Sequence, residues 1–325
     1  LFGMHPNAEI GLLISVCDTL FEAIFTLQGG GGGGEGGDGA GGAGGSKESI
    51  VKELLTEYQG KLPEDFVMID IKARVREKTP YVVCVLQELE RMNAVLGLMR
   101  REMSELELGL AGALNISDMM DTLITYLFTN KVPPGWLKIC GQIGPTGTYN
   151  RKALGAWFID LLVRYKQLKD WAEDPQVMPS CVWLSGLYNP MGYITACLQV
   201  TARAKNLPLD AMVVSTDVLR ITPDQVSAQP EEGAYIHGLF MEGARWDSQH
   251  DTIADSLPKE LFPSMPVMHV RGITSDEVQD DGAFQCPVFT TRIRGPTFTF
   301  SAPLRTMRPA HTWVLAGVAL VMQAD

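Results

Sequence analysis

The sequence predicts an α+β fold, helical in its first part and β-rich in its last, and three observations predict it. A first apolar stripe recurs at helical spacing from Ile10 to Leu27. A second runs from Val85 through Leu89, Met92, Leu96, Met99, Met103 and Leu106 to Leu110, in alternating steps of four and three. Beyond Pro208 the texture changes to short β-prone runs separated by Pro, Gly and Asp clusters. Helical and strand periods are segregated along the chain, which argues against an alternating α/β fold.

Taken in order, the first helix has Asn7 as its expected N-cap and Glu9 in the first turn, where the helix dipole favours negative charge. Ile10, Leu13, Ile14, Cys17, Leu20, Phe21, Ile24 and Leu27 follow on one stripe, which needs another surface to bury it. From Gly29 to Gly45 only Glu35, Asp38, Ala40 and Ala43 interrupt glycine. Glycine has the most backbone entropy to lose and nothing apolar offsets it here, so a disordered loop over 29–45 is expected. Such a Gly-rich coil would span about 20–25 Å. Ser46 or Ser49 then caps a short helix through Ile50, Leu54 and Leu55. Thr79-Pro80 opens the long helix, with proline at its favoured first position. Such a Met-rich stripe suits packing against other helices. Ser117 caps a helix running to about Phe128, and Pro133-Pro134-Gly135 ends the all-helical part. The expected division is therefore a helical subdomain over 1–132 and a second domain, helices then strands, over 133–325.

A further helix from Arg151 to Trp171 buries Leu154, Trp157, Phe158, Leu161, Leu162, Tyr165 and Leu168. Cys181 to Leu187 reads as a buried strand, and Asn189-Pro190 turns it into a helix from Met191 to Ala204. Strands are then expected at Ala211–Val214, Ala234–Met241, Val267–Val270, Val288–Thr291, Thr297–Phe300 and Trp313–Val321, as an antiparallel sheet, sandwich or partial barrel.

At 325 residues, 46% apolar and 20% charged, the polypeptide has enough apolar sequence to bury a sizeable core. A formal net charge of −11 sets the electrostatics against nucleic acid, anionic membrane and other acidic surfaces. Six scattered cysteines without a CxxC read as reduced thiols, mostly small buried groups. Trp313–Met322 is too short to span a bilayer, and Ile10–Leu27 carries Asp18 and Glu22. The sequence opens on Leu1-Phe2-Gly3, from which a processed or excised fragment is expected.

Motifs for chemistry are sparse. Gly141-Gln-Ile-Gly-Pro-Thr-Gly147-Thr148 resembles a phosphate cradle but has neither the lysine nor the preceding strand, so a loop between helices is expected. There is no G-x-S-x-G; Ser185 lies in Trp183-Leu-Ser-Gly186 without the elbow glycine. His237, His250 and His269 share no metal-ligand spacing. Asp247, Asp251 and Asp255 sit four apart and would form a solvated acidic face on a helix, and Asp280-Asp281-Gly282 reads as a turn. A hydrolase using an unrecognised Cys or Ser nucleophile, and a free-standing scaffold, stay open as alternatives.

Glu232-Gly-Ala-Tyr-Ile-His-Gly-Leu-Phe-Met-Glu-Gly-Ala-Arg-Trp-Asp247 closely resembles a signature near the C-terminus of axonemal dynein heavy chains. Further matches follow in collinear order, from Leu1–Ile10 through Glu105–Leu110, Ala156-Trp-Phe158, Val182–Pro190 and Leu207–Asp210 to Cys286-Pro-Val288, Arg294-Gly-Pro-Thr297 and Trp313–Val318. Cytoplasmic dyneins diverge at the Tyr235–Trp246 and Arg294–Thr297 segments, and the glycine tract departs from the varied polar residues of relatives. The resemblance implies that 1–132 is the lid-like part of the last of six AAA+ modules and 133–325 the C-terminal domain on one face of the ring. It implies a structural and regulatory role in a microtubule-based motor of the cilium or flagellum axoneme, without catalysis of its own. ATP and magnesium would be held elsewhere in the heavy chain, and no cofactor or metal here. The implied partners are the remaining ring modules, with dynein complex subunits besides, and no nucleic acid, membrane or direct microtubule contact. The expected ring-contact surface comprises Ile10, Leu13, Cys17, Leu20 and Ile24 on the first helix, with Tyr235, His237, Phe240, Arg245 and Trp246 as exposed groups.

Overall fold

The computed structural model describes residues 6–29, 47–144, 147–278 and 282–324. Apart from Gly29, the glycine tract lies outside these residues, as do Ser46 and Asp280-Asp281.

The first helix, α1 (Pro6–Gly29), starts two residues earlier than an Asn7 cap would place it, so Asn7 sits in the first turn and is not the cap. Its side-chain amide instead donates to the carbonyls of Leu257 (2.8 Å) and Glu260 (2.9 Å) and accepts from the Lys259 N–H (2.7 Å). Next come α2 (Lys47–Lys61) and α3 (Met68–Ala73). Ser49 falls inside α2, whose buried face is Val51, Leu55 and Tyr58; Ile50 and Leu54 are half-buried.

The long helix α4 (Pro80–Leu110) runs thirty-one residues from its Thr79 cap, whose side chain accepts from the Val82 N–H at 3.3 Å. Every predicted stripe residue from Val85 to Leu106 is fully buried, and Leu110 half-buried. α5 (Asp118–Phe128) begins at the expected Ser117 cap. After the Pro133-Pro134 boundary comes α6 (Pro134–Ile139), which starts at Pro134, where no N–H is required. The loop expected at 141–148 pairs as a minimal hairpin, β1 (Ile143–Gly144) with β2 (Gly147–Thr148). α7 (Leu154–Glu173) buries Leu154, Trp157, Phe158, Leu161 and Leu168 and leaves Leu162 and Tyr165 half-buried.

The strand predicted at Cys181–Leu187 shrinks to β3 (Val182–Trp183), followed by a 3₁₀ turn, Leu184–Gly186. The Gln167 side-chain amide accepts from the Trp183 N–H (2.7 Å) and donates to its carbonyl (3.2 Å), using the groups that would continue a ladder. α8 (Pro190–Lys205) is capped by Asn189, which accepts from the Gly192 N–H at 2.9 Å.

The remaining strands are β4 (Met212–Val218), β5 (Ala234–His237), β6 (Phe240–Glu242), β7 (Ala244–Asp247), β8 (Thr252–Asp255), β9 (Met268–Thr274), β10 (Phe284–Phe289), β11 (Phe298–Leu304) and β12 (Ala319–Val321). Two four-stranded sheets result, β3-β5-β9-β4 and β11-β10-β12-β6, with β7-β8 a separate hairpin. Both large sheets are mixed, because β3 runs parallel to β5 and β10 parallel to β12, which corrects the purely antiparallel expectation. Among the described residues no sheet closes into a barrel. The run at 234–241 is not one strand: it breaks at Gly238 and contributes to both sheets. The run at 313–321 is a short helix, α9 (Ala310–Leu315), before β12. Asp247 and Asp255 lie on β7 and β8 and Asp251 in their turn, so the three share no helical face.

One buried cluster joins the helices to both sheets, from Val51 to Met322. At the centre of the join the buried Glu88 carboxylate of α4 accepts from the N–H groups of Tyr188 (2.6 Å) and Asn189 (2.8 Å), just before α8. The Arg164 guanidinium of α7 stacks over Trp183 and Tyr188, 5.4 and 5.9 Å from their ring centroids. Burial raises the Glu88 pKa, and the two N–H groups and the Arg164 charge oppose that rise.

Candidate functional site

α1 is held at its base, and most of its described side chains are exposed. Asn7 staples its first turn to residues 257–260, and Ile10 is half-buried. Leu13, Cys17, Leu20 and Ile24 are exposed, as are Leu12, Ile14, Val16 and Phe21. The predicted stripe is therefore real as a spacing, but the helix is apolar on more than that stripe. Leu12-Leu13-Ile14 and Val16 carry that signal in the sequence. Asp18 and Thr19 supply polar groups, Thr19 bonding back to the Ser15 carbonyl at 2.9 Å. A helix this apolar and this exposed has its hydrophobic surface available for a partner.

The second predicted group is placed differently, and its side chains are half-buried instead of exposed. Within β5 to β7, Ile236, Leu239 and Met241 are core. Tyr235 packs edge-on against His269, ring centroids 5.1 Å apart, and the His269 ring bonds the Glu232 carbonyl at 2.7 Å. Burial pushes the His237 imidazole below its usual value, with Asp224 opposing, so the ring is favoured neutral. Phe240 packs on Phe289, Ala319 and Val321. Arg245 has its Nε buried without a hydrogen-bond partner among the described residues, and Trp246 packs on the main core. Gly238 turns the chain between β5 and β6 with φ +88°; a Cβ there would lie 2.3 Å from the Trp183 ring. Internal packing accounts for most of this segment.

The remaining thiols, Ser185 and the three spaced aspartates are committed elsewhere. Burial raises the thiols of Cys84, Cys140 and Cys286 to about 12 and that of Cys181 to about 11, and raises Cys197 too. A nucleophilic cysteine needs the opposite shift. The Ser185 hydroxyl donates to the Gly238 carbonyl at 2.7 Å. Asp247 bonds His250, Asp251 bonds Arg220, and Asp255 pairs bidentately with Arg308 at 2.8 and 2.7 Å. Among the described residues no three His, Cys, Asp or Glu converge as a metal site, and no helix is long and apolar enough to cross a membrane.

The chain is 44% identical over 323 residues to the ciliary dynein beta chain of Heliocidaris crassispina, 99% of this chain and 7% of that protein. It is 42% identical over 323 residues to dynein axonemal heavy chain 17 of Homo sapiens, with the same shares. To the dynein alpha chain of the flagellar outer arm of Chlamydomonas reinhardtii it is 44% identical over 331 residues, 100% of this chain and 7% of that one. It thus spans about a fourteenth of the length of these relatives. Residues 14–322 match the C-terminal domain of dynein heavy chains, and this polypeptide belongs to that family.

Proposed function

We propose that this chain is the C-terminal structural and regulatory region of an axonemal heavy chain, in a microtubule-based, ATP-driven motor of the cilium or flagellum. It couples or stabilises the AAA+ ring by contact and performs no bond-making step. The observation that carries this reading is α1, an uncovered apolar helix in a polypeptide that spans only 7% of its relatives' length. Ring modules of the same heavy chain are the proposed cover for Leu13, Cys17, Leu20 and Ile24, with Ile10 at the base. Tyr235, His237, Phe240, Arg245 and Trp246 serve as the half-buried support of a second face. A domain whose contacts differ between ring conformations shifts their populations by that difference in contact energy, and so alters cycling rate or force.

The division into a lid-like part over 1–132 and a C-terminal domain over 133–325 belongs to the same proposal, although the family match crosses residue 132. ATP and magnesium are assigned to modules outside these residues. Neither nucleic acid, membrane nor the microtubule itself is a proposed partner; other dynein complex subunits are.

The test is Leu13→Glu combined with Leu20→Glu in the full-length heavy chain. Each leucine, if covered, contributes about 1.5–3 kcal/mol of contact. The double variant should change gliding velocity or processivity while the main nucleotide site still binds. Motility equal to the parent's rejects α1 as the contact.

A further inference from the structure

Where α7, the residues after the β1-β2 hairpin and the chain leaving β12 come together, they enclose a cleft of about 70 Å³. Arg164 of α7 lines it, although the side chain is only 8% exposed. Among the described residues its guanidinium makes one hydrogen bond, from Nη1 to the Leu187 carbonyl at 3.4 Å, and no ion pair. The Trp183 and Tyr188 rings lie against the charge but offer it no oxygen acceptor. Glu88 feels that charge, yet directs its two oxygens to the N–H groups of Tyr188 and Asn189. A buried guanidinium with donors to spare is costly unless an acceptor meets it.

Two further donors on the cleft wall are also uncommitted. The Tyr149 hydroxyl and the Gln323 side-chain amide make no hydrogen bond among the described residues, and both residues are half-buried. The one carboxylate on the wall, Asp160, is neutralised by the Lys152 ammonium beside it. Burial raises the thiol of Cys140, also on the wall, and the two charges that act on it, Arg164 and Arg91, both oppose that rise. The field in the cleft therefore favours negative charge, in a polypeptide whose net charge is −11.

We propose that this cleft binds a small oxyanion, a carboxylate or a phosphate, on the Arg164 fork, with the Tyr149 hydroxyl and the Gln323 amide donating beside it. The planar fork of arginine matches two oxygens of either group. About 70 Å³ is room for roughly five waters, which suits inorganic phosphate or a short carboxylate and is far too little for a nucleotide. A bound oxyanion would tie α7 to the chain after β12 and so stabilise the junction of helices and second sheet. This site stands whether or not α1 meets the ring.

The test is hydrogen exchange on the full-length heavy chain, read by mass spectrometry at the Tyr149 and Gln323 amides. These bond the Gln142 and Thr290 carbonyls at 2.8 and 3.1 Å on the cleft walls. Sodium phosphate and sodium acetate are titrated separately, against sodium chloride at equal ionic strength and with ADP constant. For a ligand of so few atoms the dissociation constant should be on the order of 1 mM. Saturation should slow exchange at both amides at least about threefold. Slowing by phosphate, by acetate or by both supports the site and tells which oxyanion it takes. No slowing by either, or equal slowing by chloride, overturns it. Arg164→Lys keeps the charge but loses the fork, and should weaken binding at least about tenfold. Where that variant loosens the fold, seen as faster exchange along α4, Tyr149→Phe combined with Gln323→Leu decides, and should weaken binding about fivefold. Parental affinity in the variant that decides overturns the assignment.

Discussion

The two oxygens of Glu88 accept the N–H groups of Tyr188 and Asn189, so removing the carboxylate would leave two buried donors and the Arg164 charge uncompensated. Glu88→Ala should cost about 3–5 kcal/mol in urea unfolding. Burial raises the Glu88 pKa above its usual 4.5, against the opposing N–H groups and Arg164. The folded state therefore holds the proton to higher pH than the unfolded state does, and stability falls as pH rises from 4.5 through the folded value. Glu88→Gln lacks that fall. Melting curves from pH 4.5 upward should show the parent losing ground relative to Glu88→Gln, and parallel curves would refute the assignment. At Gly238 a Cβ would meet Trp183 and the Ser185 hydroxyl in a left-handed backbone; Gly238→Ala should destabilise by about 2–4 kcal/mol. Caps at Thr79, Ser117 and Asn189 are legible in the sequence because each bonds a backbone N–H three residues on. Asn7 has the look of a cap without being one, because its partners lie some 250 residues away in sequence, beyond any local pattern.

Among the elements, α4 and α1 are opposites despite similar apolar spacing. α4 is the axis against which α2, α5, α6, α7 and α8 pack, and Met99 on it is fully buried. Met99→Ala should cost about 2–5 kcal/mol, read by denaturant midpoint. Leu13→Glu on α1 should change the stability of these residues by no more than about 0.5 kcal/mol, because that side chain is exposed. Spacing reveals both helices, but spacing says nothing about whether a neighbour covers the stripe. The hairpin β7-β8 is not legible in the sequence, because four-residue strands, Ala-Arg-Trp-Asp and Thr-Ile-Ala-Asp, are too short to display alternation. The parallel pairing of β3 with β5 is a different matter. It needs a long crossover, and the helix in that crossover, α8, is announced by Asn189-Pro190.

At the scale of the whole molecule, the α+β class is legible because helical and strand periods occupy different stretches. The order of strands is not, since parallel pairs such as β10 with β12 depend on contacts between distant segments. A shared buried cluster and the Glu88 join predict one cooperative thermal transition; two resolved transitions would mean that 1–132 melts by itself. The proposed motor role predicts that truncating the full-length heavy chain after Asn130 alters velocity or processivity and spares nucleotide binding at the main site. The crossing at Gly238 has a mechanical side. His237 belongs to one sheet and Phe240 to the other, so only two residues lie between them and this crossing from plate to plate spans at most about 11 Å of chain. Gly238 is already curled, and Leu239 is clamped through its carbonyl to the Met265 N–H. The plates therefore have little slack to slide past each other, and a tug on either would be handed to the other almost undiminished.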